Sequence, residues 1–256
     1  MIGCIVQARM GSSRLPGKTL IKLDKSRSAL DFVVNQLTFS TLIDKIVIAT
    51  TNLEQDDIIE KNAKTLGIDC FRGSSDDVLD RYYHCAKKFQ INTIVRITSD
   101  CPLIDPQIVD QVIKKYQDED YDYVTNTLIR SYPIGTDVEI FSFETLEKTW
   151  QKAILPSERE HVTLFIRNKK SGFKLGNLKN SKNLSRLRWT LDREEDLNLI
   201  RRIVVKVNKN PILMNDILNL FSVEPELIKI NEHIPQNEGL SKSLKKDDEF
   251  QNLKTD

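Results

Sequence analysis

The sequence lacks long hydrophobic runs and an excess of charge of either sign. No apolar stretch of about 18 residues or more occurs, so we expect no transmembrane helix. The formal net charge is +1, with 38 basic and 37 acidic residues interleaved, which gives no reason to expect binding to nucleic acid or to a membrane. The amino terminus has no basic segment ahead of an apolar one, so we expect no secretory signal and a cytoplasmic location.

Cysteine and histidine are also scarce. The four cysteines, Cys4, Cys70, Cys85 and Cys101, show no C-x-x-C spacing, and the three histidines form no ligand pattern with them. These features argue against a disulfide framework and against a zinc site. We expect the thiols to be small buried residues of a protein in a reducing compartment.

What the sequence does contain is a cluster of cations directly after its first apolar run. Residues 2–6 predict one buried strand, and the polar loop that follows holds glycines, serines and the cations Arg9, Arg14 and Lys18. Glycine lets backbone N–H groups approach phosphate oxygens, arginine pairs with two oxygens at once, and lysine adds a point charge. This composition predicts a loop that binds a polyphosphate.

The loop is close to the P-loop pattern, G-x-x-x-x-G-K-[ST], but does not match it. Gly11 and Gly17 are separated by one residue too many, and Pro16 removes an N–H group that a phosphate cradle would use. We therefore expect a different triphosphate loop, with a P-loop-like kinase or ATPase as the alternative.

Predicted strands alternate with amphipathic helices over the first half of the chain. The pattern predicts strands at residues 2–6, 45–51, 69–72, 93–98 and 122–126. It predicts helices between them at residues 30–37, 58–66, 78–89 and 106–113. This alternation predicts an α/β fold with a mostly parallel sheet, in which ligands bind beyond the carboxyl ends of the strands. We expect the segments at these strand ends to converge on one site. They are residues 9–18, 50–52, 72–75 and 99–100.

The second half of the chain is less regular. Strands are predicted at residues 138–141, 173–178 and 187–191, and helices at residues 143–150, 158–167, 197–207 and 211–221. No linker divides residues 1–235, which we assign to one domain. Residues 236–256 are polar and rich in charge, and we expect this tail to be mobile or weakly packed.

Two aspartates stand at the ends of predicted strands. Asp100 follows strand 93–98, and Asp192 follows strand 187–191. Carboxylates in such positions, next to a cationic loop, could hold Mg²⁺ against bound phosphates. The alternative is that each aspartate caps the helix after it, although Asp105 is better placed than Asp100 to do so. Sequence spacing leaves open whether the two carboxylates meet.

Six segments together carry a resemblance to a known family. They read QARMGSSRLPGKTL, FRGSSDDVLDRYYHCAKK, VRITSDCPLIDPQIVD, YVTNTLIRSYPIGTDVEIFSFETLE, SEREHVTLFIR and LRWTLDREEDL. In this order they resemble the cytidylyltransferases that make CMP-sugar acids, and within these the SpsF-like branch of spore coat polysaccharide biosynthesis. The similarity covers about residues 1–235.

This resemblance implies a Rossmann-like nucleotidyltransferase fold with a smaller inserted β/α region for substrate binding or dimerisation. It implies transfer of CMP from CTP to the hydroxyl of a sugar acid, a nonulosonic or other 2-keto-3-deoxy acid, with release of pyrophosphate. The products of such enzymes serve surface polysaccharide or glycan biosynthesis. The resemblance further implies a Mg²⁺ cofactor and, as in many members, a homodimer, with no nucleic acid or membrane partner.

The family's site residues carry over to matching positions of this sequence. The resemblance implies catalytic roles for Arg9, Lys18, Asp100 and Asp192, with the two aspartates as metal ligands. It implies a nucleotide site made by Ala8, Arg9, Gly11, Ser12, Arg14, Lys18, Arg72, Ser74 and Arg81. It implies contacts to the sugar acid from Asn126, Asp137, Glu139, Glu160 and His161. Without the resemblance, a capped or surface position for His161 is equally open.

Three other functions remain as alternatives. One is a nucleotide-binding sensor without catalysis, against which both intact aspartates argue. Another is the P-loop-like kinase or ATPase, and a third is a glycosyltransferase of related fold, which would use a nucleotide sugar in place of a nucleoside triphosphate.

Overall fold

A seven-stranded sheet lies at the centre of the computed structural model, which describes residues 1–235 and 238–252. The strands are β1 (Ile2–Gln7), β2 (Lys45–Thr51), β3 (Asp69–Gly73), β4 (Thr93–Thr98), β5 (Tyr123–Thr125), β6 (Glu139–Ser142) and β7 (Leu175–Asn177). Their order in the sheet is β3-β2-β1-β4-β6-β5-β7. Strand β6 runs antiparallel to β4 and β5, and the other neighbours pair in parallel. The predicted α/β fold with a mostly parallel sheet is confirmed.

Helices flank this sheet and connect its strands. They are α1 (Ala29–Leu37), α2 (Asp57–Leu66), α3 (Val78–Lys88), α4 (Pro106–Asp118), α5 (Phe143–Lys152), α6 (Pro156–His161), α7 (Leu164–Arg167), α8 (Glu194–Val207), α9 (Met214–Val223) and α10 (Glu238–Asn252). Within residues 1–235 and 238–252, no helix is long and apolar enough to cross a bilayer.

Local signals fix where several helices begin and end. Asp105 accepts a hydrogen bond of 2.8 Å from the amide of Gln107 at the start of α4, and Pro106 occupies the first helical position. Gly67 ends α2 with a φ of 69°, which glycine adopts without steric cost. Asp105, rather than Asp100, is thus the cap of α4, which leaves the carboxylate of Asp100 available to the site.

Apolar side chains pack on both faces of the sheet. Val6 of β1 faces the cluster that contains Leu30 of α1, and Ile5 faces the opposite cluster, with Tyr82 of α3. A third cluster around Trp189 packs α8 and α9 against α1. A strand whose successive side chains enter two cores is buried on both sides, so only its ends are open to ligands. All four cysteines are free thiols, as predicted.

Two predicted elements of the second half are wrong. The helix predicted at residues 158–167 is divided into α6 and α7, because Val162 between them adopts a φ of 65° that no helix allows. The strand predicted at residues 187–191 is an extended segment with one isolated bridge, between Ile134 and Arg188. Its amides turn to two different partners: that of Trp189 donates to the carbonyl of Ile134 and that of Leu191 to the carbonyl of Asp100.

The carboxyl-terminal segment differs from the mobile or weakly packed tail that its composition predicts. Residues 238–252 form α10, which packs on α6 and buries Ser243 and Asp247. Composition gives little sign of this because the groups that α10 buries include polar ones. Residues 236–237 and 253–256 of the predicted tail lie outside the described residues, and the domain boundary at residue 235 stays a prediction.

Candidate active site

The cationic loop leaves the carboxyl end of β1, beside the end of β4. Its backbone is closed by the hydroxyl of Thr19, which donates to the carbonyl of Arg9 over 2.8 Å, and by the amide of Met10, which donates to Asp56 over 2.7 Å. Gly17, with a φ of 68°, makes the turn that precedes Lys18. The predicted convergence of segments 9–18 and 99–100 is present, because β1 and β4 are parallel neighbours.

Lys18 lies between the two predicted metal ligands. Its Nζ is 2.9 Å from Oδ2 of Asp100 and 2.8 Å from Oδ1 of Asp192, and Nη2 of Arg14 is also 2.8 Å from Oδ1 of Asp192. The two carboxylates that the sequence could not place relative to each other therefore meet on one ammonium group.

A buried network orients Asp192. Nη2 of Arg188 lies 3.2 Å from Oδ2 of Asp192, and the same guanidinium binds the fully buried carboxylate of Asp196. Asp196 in turn accepts hydrogen bonds from the amides of Asp192 and Arg193 at the start of α8. Asp196, rather than Asp192, therefore satisfies the amides at the helix start, and the Asp192 carboxylate faces the site.

Electrostatics keep these groups charged. Burial lowers the pKa of the Lys18 ammonium, but Asp100 and Asp192 outweigh burial and hold that pKa above its ordinary value. Burial likewise raises the pKa of the Asp192 carboxyl, but Lys18 and Arg14 outweigh it and hold that pKa well below its ordinary value. The site therefore presents the ionised carboxylate of Asp192 beside the cations of Lys18 and Arg14.

One cavity lies along the loop. This loop cavity has a volume of about 410 Å³ and includes among its lining residues Ala8, Arg9, Gly11, Ser12, Arg14, Lys18, Arg81 and Asp100. Seven of the nine residues predicted for the nucleotide site, all except Arg72 and Ser74, line it. The volume suits a small ligand.

Arg81 is the most unusual residue of the loop cavity. Its side chain is almost fully buried, and burial lowers the pKa of its guanidinium, which the nearby Arg9 lowers further. One Nη donates to the carbonyl of Ser74 over 2.8 Å, but the buried Nε has no hydrogen-bond partner among the described residues. A buried cation with an unsatisfied donor is costly unless a ligand completes it.

Arg72 and Ser74 lie outside the linings of both cavities described here. Arg72 donates to the carbonyls of Thr51 and Leu53 and pairs with Asp57 and Glu60 of α2. Ser74 caps the turn before α3 and presents its carbonyl to Arg81. Both residues therefore support the surrounding backbone, and their predicted contacts to the nucleotide stay a prediction.

A second cavity joins the first and is rich in arginine. This arginine cavity has a volume of about 570 Å³, and the residues that line both cavities are Arg14, Arg96, Thr98, Asp100 and His161. Asp137, Glu139 and His161 of the predicted acid-binding set line it, whereas Glu160 lines the loop cavity. Asn126 does not line either cavity: it is buried and bonds the backbone of Thr136 and Val138, so it shapes the wall.

Two of the carboxylates predicted to contact the sugar acid form ion pairs with arginines. Asp137 forms a bidentate pair with Arg130, at 2.6 and 2.7 Å. Glu139 pairs with the guanidinium of Arg96 and accepts hydrogen bonds from Tyr123 and Thr163. Burial raises the pKa of the Glu139 carboxyl, but Arg96 and Arg167 outweigh burial and lower it. These carboxylates position arginines more than they offer negative charge to a ligand.

The sequence reasoning missed Arg96 and Arg167. Arg96 lies between the two cavities with a buried Nε that has no partner in the described chain, and Arg167 lines the arginine cavity without an ion pair to any described residue. The sequence did contain a signal for Arg96. It is the charged residue among the apolar ones of the strand TIVRIT, and a charged residue is rarely buried unless it is paired. Arg167 closes the segment SEREHVTLFIR, but nothing in its spacing separates it from a surface arginine.

Asp100 and Asp192 fit a site for one magnesium ion whose coordination a bound ligand would complete. Asp100 and Asp192 supply hard carboxylate oxygens that meet at the ammonium group of Lys18. No group of three or more acidic, histidine or cysteine side chains in metal-binding arrangement occurs among the described residues. Two carboxylates with phosphate oxygens completing the shell are the usual arrangement for Mg²⁺ at triphosphate sites.

Comparisons with known proteins agree with this geometry. A family model described as cytidylyltransferase matches residues 3–217. The chain is 33% identical to the spore coat polysaccharide biosynthesis protein SpsF of Bacillus subtilis, over 87% of this chain and 94% of that protein. It is 30% identical to the 3-deoxy-manno-octulosonate cytidylyltransferase of Trichlorobacter lovleyi, over 45% of this chain and 44% of that enzyme. The solved structure of a cytidylyltransferase from Leptospira borgpetersenii aligns with a TM-score of 0.85 at 34% identity, covering 89% of this chain and 96% of that one.

Proposed function

Because this chain belongs to the cytidylyltransferase family, we propose that it transfers CMP from CTP to the hydroxyl of a sugar acid, a nonulosonic or other 2-keto-3-deoxy acid. The family resemblance of the sequence motifs is confirmed, and the chain is a CTP-dependent nucleotidyltransferase. The identity of the acceptor, a sugar acid, is what we propose. The observation that carries it is the meeting of a loop cavity and an arginine-rich cavity at Arg14 and Asp100.

The loop cavity is the proposed site of CTP. Arg9, Arg14 and Lys18 bring three cations to the triphosphate, and Gly11 lets the backbone approach it. Arg81 carries a buried donor without a partner, and a cytosine carbonyl or a phosphate oxygen would satisfy it. The remaining space of the loop cavity beside Arg81 is therefore the proposed position of the base.

The arginine cavity is the proposed site of the acceptor. Arg167 and the partnerless Nε of Arg96 are donors suited to a carboxylate. One relative is by its name a 3-deoxy-manno-octulosonate cytidylyltransferase, which supports an acidic sugar, and another is named for polysaccharide biosynthesis, which supports a sugar. The acceptor hydroxyl would then enter from the arginine cavity and meet the triphosphate near Asp100.

The chain's own residues orient and neutralise the reacting groups. The hydroxyl oxygen attacks the α-phosphorus in line and loses its proton to solvent. The bond between the α-phosphorus and the oxygen of the β-phosphate breaks, and pyrophosphate leaves. Lys18 and Arg14 are fixed by Asp192, so their charges are already in place for the negative charge that moves onto pyrophosphate. Asp100 and Asp192 are the proposed ligands of one Mg²⁺, which when bound would neutralise phosphate charge and lower the pKa of the attacking hydroxyl.

The biological setting follows from the chemistry that we propose. A CMP-linked sugar acid is an activated donor, so the product would supply surface polysaccharide or glycan synthesis. Two features support a cytoplasmic location for the enzyme. Its proposed substrate is CTP, and all four of its cysteines are free thiols. The resemblance also predicts a homodimer, which sedimentation of the purified protein would test.

The decisive experiment is pyrophosphate release from CTP, ATP, GTP and UTP in the presence of Mg²⁺ and a panel of sugar acids. Release with CTP and one acid supports the proposal and identifies the acceptor, and the Asp100→Asn variant is the background control. Release of phosphate instead of pyrophosphate would favour a kinase or ATPase. Saturable CTP binding without turnover on any acid would favour a sensor.

A further inference from the structure

The carboxyl-terminal helix α10 lies beyond the part of the chain that the family model matches. That match ends at residue 217, whereas α10 spans Glu238–Asn252 and packs on α6. Most of its described surface is charged and exposed, but Ser243 and Asp247, one helical turn apart, are buried. Buried polar side chains in a polar helix need partners, and both partners lie on α6.

Asp247 binds the beginning of α6. Its Oδ1 accepts a hydrogen bond of 2.8 Å from the amide of Ser157, and its Oδ2 accepts one from the Ser157 hydroxyl. The amides of the first helical turn have no partner within the helix, so a carboxylate from another element can cap them. Here α10 supplies the cap that α6 lacks in its own sequence, where Leu155 precedes it.

Ser243 binds the end of α6. Its hydroxyl donates to Oε2 of Glu160 over 2.8 Å and lies 2.9 Å from Nε2 of His161. The single hydrogen of that hydroxyl is given to Glu160, so Nε2 of His161 donates to it. Burial and the nearby Arg96 lower the pKa of His161, which favours the neutral ring.

These contacts also bring α10 to the loop cavity. Ser243 and Lys246 of α10 line it together with Glu160 and His161 of α6, opposite the cationic loop. Nζ of Lys246 lies 3.8 Å from Oε2 of Glu160, and its side chain is 62% exposed. An exposed pair at this distance is weak, so the ammonium is available to a stronger anion.

The length of α6 explains why it needs support. A helix of six residues is far below the length that is stable alone, and Val162 directly after it has a positive φ of 65°, which a β-branched residue adopts only under constraint. Bonds from Asp247 at one end of α6 and Ser243 at the other fix its position. The placement of Glu160 and His161 in the cavity therefore depends on α10.

We propose that α10 forms a wall of the nucleotide-binding cavity: Lys246 binds the phosphates of CTP, and Ser243 is a positioning residue for Glu160 and His161. This inference rests on the proposed location of CTP in the loop cavity. It assigns a binding role to a segment of the chain outside the family match.

The test is the affinity for CTP with Mg²⁺, measured by calorimetry on the full chain. Lys246→Ala should weaken binding about fivefold, and Lys246→Glu should weaken it further, with both effects shrinking as salt is raised. The matched control is Lys245→Ala, which removes an exposed neighbouring lysine of the same helix that lines neither cavity. Equal affinities of the Lys246→Ala and Lys245→Ala variants would overturn the role of Lys246.

A second measurement tests Ser243. Nitrogen-15 NMR of the three histidines should show an Nε2–H of His161 that is protected from exchange, assigned by its loss in His161→Gln. Ser243→Ala should remove the protection and weaken CTP binding about threefold, and Ser243→Thr, which keeps the hydroxyl, should restore both. Unchanged protection and affinity in Ser243→Ala would overturn the positioning role. If the unaltered protein does not bind CTP at all, the proposed function fails instead.

Discussion

The backbone carbonyl of Asp100 accepts a hydrogen bond of 2.7 Å from the amide of Leu191. The hydroxyl of Thr190 donates to the same carbonyl over 2.9 Å. These two bonds anchor the segment before α8 to the end of β4, and the next residue, Asp192, thereby reaches the Lys18 ammonium that Asp100 also binds. The site depends on this junction because its two carboxylates come from distant parts of the chain.

We expect Asp100→Asn to fold normally and to lose at least about a hundredfold in turnover. The change keeps the shape of the side chain but removes the charge that faces Lys18 and the proposed Mg²⁺, and electrostatic groups of this kind contribute about that much to catalysis. Steady-state pyrophosphate release checks it, with circular dichroism for the fold. The exposed Asp118→Asn on α4 is the control. Normal turnover of the Asp100→Asn variant would remove the metal assignment.

Lys18→Met should mainly weaken CTP binding, by about tenfold or more, because it removes a partly buried cation next to the phosphates. It also leaves Asp100 and Asp192 facing each other without the ammonium between them, which repels the triphosphate. Calorimetry with CTP measures the change. Lys22→Met, which removes a more exposed lysine outside both cavities, should leave the affinity unaltered. A similar loss in both variants would show a general charge effect and not a binding loop.

Arg81 and Arg72 are both predicted from the family pattern to contact the nucleotide, but only Arg81 lines the loop cavity. Arg81→Met should lower CTP affinity about tenfold, because it removes a buried guanidinium that lines the loop cavity. Arg72→Met should leave that affinity within about twofold and instead reduce thermal stability, since Arg72 braces β2 and α2. The reverse outcome would return the nucleotide-binding role to Arg72.

Arg167→Gln should raise the KM for the acidic acceptor about tenfold or more with little change in the affinity for CTP, because Arg167 lines the arginine cavity and not the loop cavity. Kinetics with the acid identified by the pyrophosphate assay measure it. Arg202→Gln on the exposed face of α8 is the control. An unchanged KM would locate the carboxylate of the acceptor elsewhere in the cavity.

Periodicity was enough for the elements whose bounds are set by signals in the local sequence. The strands β2 and β4 have the predicted bounds because each is an apolar run between turn signals, and α4 begins at the predicted Asp105-Pro106 cap. The segment at residues 187–191 failed because its partners, Ile134 and Asp100, are remote in sequence and differ from residue to residue. An alternating or apolar pattern predicts an extended backbone but not whether a continuous neighbour exists.

The candidate site was also predictable from the sequence only in part. The cationic loop was predictable because its cations follow one strand directly. The meeting of Asp100 with Asp192, the inward position of Arg96 and the support of α6 by α10 were not, because each depends on tertiary contacts. Arg72 shows the converse: a motif places it near the cavity in sequence, but the carboxylates of Asp57 and Glu60 hold its guanidinium elsewhere.

The depressed pKa of Asp192 predicts how stability changes with pH. Lys18 and Arg14 hold this pKa below the ordinary value of 3.8, so the stabilisation is present above pH 3.8 and is lost as the pH falls through the lower folded value. Asp192→Asn should therefore be less stable than the unaltered protein at pH 7, and the gap in the free energy of unfolding should close below pH 3.8, by at most about 1.4 kcal/mol per pH unit. Urea unfolding between pH 7 and pH 2 measures it, with Asp118→Asn as the control. A gap that stays constant with pH would mean that Asp192 is stabilised by its shape and hydrogen bonds and not by the charges of Lys18 and Arg14.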